Sequence, residues 1–329
     1  MTKLTIDDIT YAKERISPFV HTTPILRSSI LNEWLGHDIF FKCENLQKIG
    51  AFKARGACNT VAWLVETNQK PKHVVANSSG NHAQAVAWAA WQFGIPATIY
   101  MPENASKVKI QATQAYGAEV ALYKTRAEAD EQVKQASQEA GVYWIPPFNH
   151  EQVIAGQGTA VYEALTEVPD IDAVFAPCGG GGLLSGSFIA ARGLAPGVQV
   201  IGAEPLNAND AVQSRKSGKI HRLPQSPVSI ADGVLTLAVG EITFEYIKQL
   251  DDLYEVAEER IIYWTQWLTH LLKLTVEPTS AMSMDAVVRW LAKQSSKKRV
   301  LVVLSGGNLD YIARKKIGEM DWLWEVPGL

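Results

Sequence analysis

The sequence predicts an α/β protein made of two doubly wound domains with mainly parallel sheets. Short runs rich in β-branched and aromatic residues alternate with helical patterns along most of the chain, as βα units on a parallel sheet do. The length of 329 residues exceeds what one core usually serves, so two domains of unequal size are expected. Within the alternation, Pro146-Pro147 can continue neither a strand nor a helix, so the chain is expected to change direction there.

In chain order, Ile39-Phe40-Phe41-Lys42 is the first expected strand, and a polar loop after it leads into a helix carrying Lys53. Strands at 73–76, 97–100 and 142–145, with helices at 83–93, 107–116 and 126–139, make about three βα repeats. These repeats, 71–149, are expected to form a small substrate-contacting domain inserted into a larger cofactor-binding one, 1–70 together with 150–329. The larger domain continues with strands at 173–176, 198–203, 253–256 and 299–304 and helices at 159–165, 182–192, 260–272 and 279–293.

Composition narrows the function. Hydrophobic residues make up 47% and charged residues 20%, with no apolar run approaching a bilayer span, so a soluble protein off the membrane is expected. Acidic residues at Asp7 and Asp8 stand where a secretory signal would be apolar, which makes the cytoplasm the expected compartment. Cys43, Cys58 and Cys178 fit neither a zinc pattern nor a disulfide framework and read as reduced thiols. A net charge of -3 without a basic stripe excludes nucleic acid as the expected partner and points to a small molecule. The apolar tail from Met320 to Trp324 needs a covering surface, either the domain itself or a second subunit of a homodimer or larger homo-oligomer.

Four loops carry chemistry. Gly179, Gly180, Gly181 and Gly182 follow an apolar strand and open a helix, so N–H groups converge on an anion with no Cβ in the way and the helix dipole behind them. A linker would also be glycine-rich, but linkers do not sit between a buried strand and an amphipathic helix. A G-x-G-x-x-G dinucleotide fingerprint could start only at Gly180, and it meets Ser185 where its last glycine belongs. Lys53, just after Phe52 at a helix start, loses hydration and feels the positive end of the dipole; both favour the amine form that attacks aldehydes. Most such lysines are solvated and inert, so the neighbours decide. Ser78, Ser79, Gly80, Asn81 and His82 form a second anion-accepting turn, suited to a substrate carboxylate, although Ser78 or Ser79 alone would cap the helix. Ser305 follows the strand 299–304 at its carboxyl end, where open α/β sheets bind ligands.

Taken together, A-F-K-A-R-G-A, S-S-G-N-H-A-Q, A-G-Q-G-T, C-G-G-G-G-L-L-S-G and L-S-G-G-N resemble the motifs of the threonine/serine dehydratase and serine racemase family, nearly end to end. The resemblance implies the tryptophan-synthase-β-like fold, fold type II of pyridoxal-phosphate enzymes. It implies Lys53 as the Schiff-base lysine, Phe52 as the ring-stacking aromatic and Asn81 as the partner of the cofactor's 3′-oxygen. Gly179 to Gly182 would hold the phosphate, Ser305 the pyridine nitrogen, and Ser78, Ser79, Gly80, Asn81 and His82 the substrate carboxylate region. Lys53 and Ser79 would then be the two catalytic side chains, on opposite faces of the α-carbon. The implied reaction is β-elimination from L-threonine or L-serine to a 2-oxo acid and ammonia. Serine racemisation with side dehydratase activity and 3-hydroxyaspartate dehydration are alternatives, and a non-catalytic amino-acid-binding protein is the alternative from another class. Glu204-Pro205-Leu206-Asn207-Ala208-Asn209-Asp210 resembles the divalent-cation loop of serine racemases, which implies Glu204, the Ala208 carbonyl and Asp210 as hard oxygen ligands for Mg²⁺, Mn²⁺ or Ca²⁺. Asn209 departs from that pattern, where the family has an aspartate. No C-terminal regulatory domain is recognised, so no isoleucine control is expected.

Overall fold

A computed structural model describes residues 3–329; the first two residues of the acidic N-terminal stretch, and of the expected larger domain, lie outside it. Its strands are β1 (Ile25–Leu26), β2 (Asp38–Cys43), β3 (His73–Asn77), β4 (Ala97–Pro102), β5 (Glu119–Tyr123), β6 (Val142–Trp144), β7 (Ala173–Pro177), β8 (Gln199–Pro205), β9 (Asp252–Val256) and β10 (Arg299–Leu304). They form two sheets, one in the order β1-β2-β10-β7-β8-β9 and one in the order β5-β4-β3-β6. Every pairing is parallel except that of β1 with β2.

The larger sheet is covered on both faces, which is why its strands read as continuous apolar runs. Along β10, Val300, Val302 and Leu304 face one buried cluster with Phe41, Phe175 and Trp264, while Leu301 and Val303 face another with Phe40, Val174 and Leu184. The smaller sheet packs Val74, Ala76 and Ile99 against the alanine-rich helix Asn81–Gln92.

Some elements differ from the expected ones, each for a physical reason. β5 is an edge strand with no fully buried residue, so it lacks the alternation that marks a half-buried strand. The helix expected at 159–165 runs from Glu151 to Glu167, and Gly156 and Gly158 inside it hide its start. Those glycines are contact points: a Cβ on Gly156 would come within 2.7 Å of the Arg55 carbonyl, and one on Gly158 within 2.8 Å of the Gly186 carbonyl. The helices Lys53–Glu66, Glu151–Glu167 and Gly182–Leu194 therefore meet backbone to backbone. The helix expected at 279–293 is two segments, Pro278–Ala281 and Ser283–Leu291.

In the tail, Trp322 and Leu323 pack on the large core, and Tyr263 Oη and Trp267 Nε1 both donate to the Glu325 carbonyl at 3.0 Å. Trp324 points away, 72% exposed. Among the described residues no helix is long and apolar enough to cross a membrane.

Candidate active site

Lys53 is the first residue of its helix, with Phe52 before it in helical conformation. That start is fixed from both sides. The Phe52 N–H donates to the Ser305 carbonyl at 2.9 Å, tying the helix to the end of β10. Two residues on, the fully buried Arg55 pairs with Glu44 at 2.7 Å and with Glu163 at 2.7 Å, and Lys42 also reaches Glu163 at 2.7 Å. Burial of four charges is tolerated only because each is matched, and removing one partner of such a set costs about 3–5 kcal/mol. The Lys53 ammonium has no such partner. Its Nζ donates to the Pro147 carbonyl at 2.6 Å and lies 5.2 Å from the centre of the Phe52 ring. Burial alone lowers its pKa to about 8, so the amine form is accessible near neutral pH.

At the carboxyl end of β7 the four glycines turn into the helix Gly182–Leu194, with Gly181 at φ +92°, a left-handed conformation that favours glycine. A Cβ on Gly180 would run into the Phe148 ring, and one on Gly182 would lie 3.0 Å from Phe148 Cβ. The Gly180 carbonyl accepts from Thr243 Oγ1 at 2.6 Å. Among the described residues no acceptor takes the N–H groups of Gly179, Gly180 or Gly181, which leaves a set of donors at a helix N-terminus that suits a phosphate.

The serine turn follows β3. Ser78 Oγ accepts from the Gly80 N–H at 3.2 Å, and the helix starting at Asn81 presents its free N–H groups to the same space. Both ends of the Asn81 carboxamide are engaged: Oδ1 accepts from Asn308 Nδ2 at 2.8 Å, and Nδ2 donates to Glu277 at 3.1 Å. The His82 ring makes its hydrogen bond to the Ile145 carbonyl at 2.9 Å, which requires the proton on Nε2, and burial holds its pKa down at about 3. A neutral ring with its Nδ1 lone pair unpartnered offers no positive charge to a carboxylate, so only the His82 backbone N–H can serve there.

Lys53, the turn from Ser78 to His82, and Gly179 to Gly182 line one cavity of about 310 Å³. Ser305 does not line it; the serine sits fully buried behind, its Oγ 2.9 Å from Ser280 Oγ. The cavity also holds residues that the sequence reading passed over: Lys109, Arg126, Phe148, Asp232 and Glu277. Lys109 forms an ion pair with Asp232, and Arg126 donates to the Leu235 carbonyl at 3.1 Å, joining the small sheet's helices to the loop 232–235. Charged residues at helical spacing read as solvated faces, so nothing local marked Lys109 or Arg126. Glu277 precedes Pro278 at a helix start, a capping signal that conceals its place in the cavity.

A cavity with a desolvated lysine on one wall and an anion cradle on another fits a phosphate-bearing aldehyde. The family model for pyridoxal-phosphate dependent enzymes matches residues 16–306. The chain belongs to this family. Its relatives divide between lyases and racemases. It is 45% identical over 309 residues to L-threo-3-hydroxyaspartate ammonia-lyase of Saccharomyces cerevisiae, covering 93% of this chain and 94% of the relative. To serine racemase of Schizosaccharomyces pombe it is 44% identical over 308 residues, covering 93% and 94%. The solved structure of a threonine deaminase from T.th. superposes with a TM-score of 0.88 at 40% identity, covering 94% of this chain and 99% of that one. The mainly parallel α/β architecture is thus that of fold type II, and this pyridoxal-phosphate dependent enzyme falls among the ammonia-lyases and racemases.

In this family member the predicted cation loop closes β8. Glu204 and Asp210 are both fully buried. The Glu204 carboxylate accepts from the Ala211 and Val212 N–H groups at 3.2 and 2.7 Å, whereas among the described residues no side chain reaches either Asp210 oxygen. Burial is the main cause that raises both acids, Glu204 well above the usual range and Asp210 to about 7. Two adjacent buried acids without a cationic side chain suit a small cation. Among the described residues no three His, Cys, Asp or Glu side chains gather, so carbonyls and water would have to complete the shell. Asn209 instead donates to Glu255 Oε1 at 2.6 Å.

Proposed function

We propose that this pyridoxal-phosphate dependent enzyme is an ammonia-lyase that eliminates water from small L-β-hydroxy amino acids, L-serine and L-threonine among them, and that the released enamine takes up water again to give a 2-oxo acid and ammonia. The observation that supports it most is the desolvated Lys53 amine sharing one cavity with the glycine cradle and the serine turn. When bound, pyridoxal phosphate supplies an aldehyde that captures amines and a ring that accepts electrons from the α-carbon.

In this reading the N–H groups of Gly179 to Gly182 would hold the phosphate, Phe52 would pack against the ring and Asn81 would meet its 3′-oxygen, while Ser305 would have to reach the pyridine nitrogen from behind the cavity wall, where its Oγ lies 2.9 Å from Ser280 Oγ. Lys53 Nζ would hold the aldehyde of the cofactor and, as a free amine, would take the substrate's α-proton. Ser78, Ser79, Gly80 and the backbone of Asn81 and His82 hold the carboxylate, with the His82 ring spent on Ile145. The serine hydroxyl of Ser305 stays neutral, so it cannot stabilise a protonated pyridine as a carboxylate would. A weaker electron sink would favour loss of the β-hydroxyl over transamination. The small domain, 71–149, supplies the serine turn, and the larger one supplies Lys53 and the cradle. Glu204, the Ala208 carbonyl and Asp210 hold a divalent cation, and the assembly is a homodimer or larger.

A second reading, serine racemisation, is favoured by one observation: Ser79 lines the same cavity as Lys53, so a hydroxyl is available for the opposite face of the α-carbon. The guanidinium of Arg126 on the cavity wall extends the substrate range to 3-hydroxyaspartate, because it gives a second carboxylate a charged partner. Incubation of the loaded enzyme with L-serine, D-serine, L-threonine and the 3-hydroxyaspartate isomers, with and without Mg²⁺, tests these readings together. Release of 2-oxo acid from at least one L-β-hydroxy amino acid is expected, with loss of stability or turnover on chelation. Inverted serine without 2-oxo acid would replace the lyase by the racemase, and neither product with any substrate would refute both.

A further inference from the structure

Glu277 is a carboxylic acid that the reaction described above does not use, and it stands 2% exposed on the cavity wall. It caps the short helix Pro278–Ala281, and its backbone N–H donates to the Gly306 carbonyl at 3.1 Å. The loop after β10 presses on its side chain: a Cβ on Gly306 would come within 2.6 Å of Glu277 Oε1. So confined, the carboxyl meets Asn81 Nδ2 at 3.1 and 3.3 Å. On the other side of the same carboxamide, Asn308 Nδ2 donates to Asn81 Oδ1 at 2.8 Å, and it is itself held by the Ile49 carbonyl at 2.8 Å. The Asn81 amide therefore cannot flip, and one of its two N–H bonds is left for the cavity.

Resting on the assignment of Asn81 to the cofactor's 3′-oxygen, we propose that Glu277 is a positioning residue that acts through Asn81 to set the proton affinity of that oxygen. No cation pairs directly with Glu277 among the described residues, so the fold does not fix its charge. The groups facing it are Asp232 and Lys109, themselves paired, together with Asn81 and Asn308; Lys53 and the neutral His82 lie on the same cavity. Burial, helped by the negative charge of Asp232, raises its pKa to about 7 against the opposing Asn81 hydrogen bond, Lys109 and a hydrogen bond from the Asn308 backbone. Above this value an ionised Glu277 accepts from Asn81 and adds negative charge behind the amide, which disfavours a negative 3′-oxygen and favours its protonated form. Below it, a neutral Glu277 removes that charge and favours the ionised oxygen.

The holoenzyme loaded with pyridoxal phosphate, without substrate, is titrated across neutral pH by absorption spectroscopy. The visible band of the lysine-bound cofactor is expected to lose intensity to a near-ultraviolet band as pH rises, with a midpoint near 7. Glu277→Gln abolishes that transition and Glu277→Asp retains it at a shifted midpoint. If the glutamine variant does not fold, two variants at the cavity mouth give the same test. Asp232→Asn, by removing a negative neighbour, lowers the midpoint, and Lys109→Gln raises it. A transition unchanged in Glu277→Gln, or a midpoint indifferent to both mouth variants, overturns the proposal. A visible band with no transition near neutrality in the wild-type enzyme also overturns it, whereas the lack of any visible band refutes the assignment of Lys53 on which it rests.

Discussion

Desolvation, with no neighbouring charge to help it, is what brings the Lys53 pKa down to about 8. Around Lys53 the sequence offered only an aromatic and a helix start, and its meaning came from the serine turn and the glycine loop, 25 to 129 residues further on, which close on one cavity. Glycine and serine turns after strands announce themselves locally, so the cradle and the serine turn were legible. Glu277 was not, because its neighbours Asn81 and Gly306 come from distant segments and its own surroundings read as a helix cap. The same holds for the His82 ring, whose commitment to the Ile145 carbonyl depends on how β6 lies beside β3. At this scale the opposite-face role proposed for Ser79 can be tested. In Ser79→Ala, inversion of serine measured by chiral chromatography is expected to fall at least tenfold, while 2-oxo acid release from L-threonine keeps much of its rate. Equal loss of both would remove the opposite-face role.

Among the elements, the turn between β7 and its helix shows why four glycines stand in a row. Gly181 needs its left-handed φ, Gly180 has no room for a side chain beside the Phe148 ring, and a Cβ on Gly182 would press on Phe148 at 3.0 Å. The substitution Gly180→Ala pushes a methyl into the Phe148 ring, and overpacking of this kind costs about 1–3 kcal/mol. It is expected to weaken pyridoxal-phosphate binding to the apoprotein by an order of magnitude or more and to lower Tm, read by cofactor titration and a thermal melt. Unchanged affinity would mean that the phosphate does not lie on this turn. Element boundaries were less legible than the turns. The helix Glu151–Glu167 disguises its first half with glycines that serve close helix contacts, a tertiary demand that overrides helix propensity. β5 and β1 contribute edge pairing without a buried face, so their residues carry no periodic signal.

For the whole molecule, the parallel order of both sheets sends the carboxyl ends of β3, β7 and β10 toward one region, as open α/β sheets do at their ligand sites. Alternation of strand and helix made that architecture readable in the sequence. The contacts that join the small sheet's helices to the loop 232–235, Lys109 with Asp232 and Arg126 with Leu235, were not, since they pair charges and a carbonyl far apart in the chain. All of these arrangements serve one claim, that Lys53 holds pyridoxal phosphate by its amine. Borohydride reduction of the loaded enzyme followed by peptide mass spectrometry tests it most directly. The reduced pyridoxyl group is expected on Lys53, with loading of the apoprotein speeding up as pH rises through about 8, where the amine form takes over. A pyridoxyl group on any other lysine, or none at all, would contradict the account.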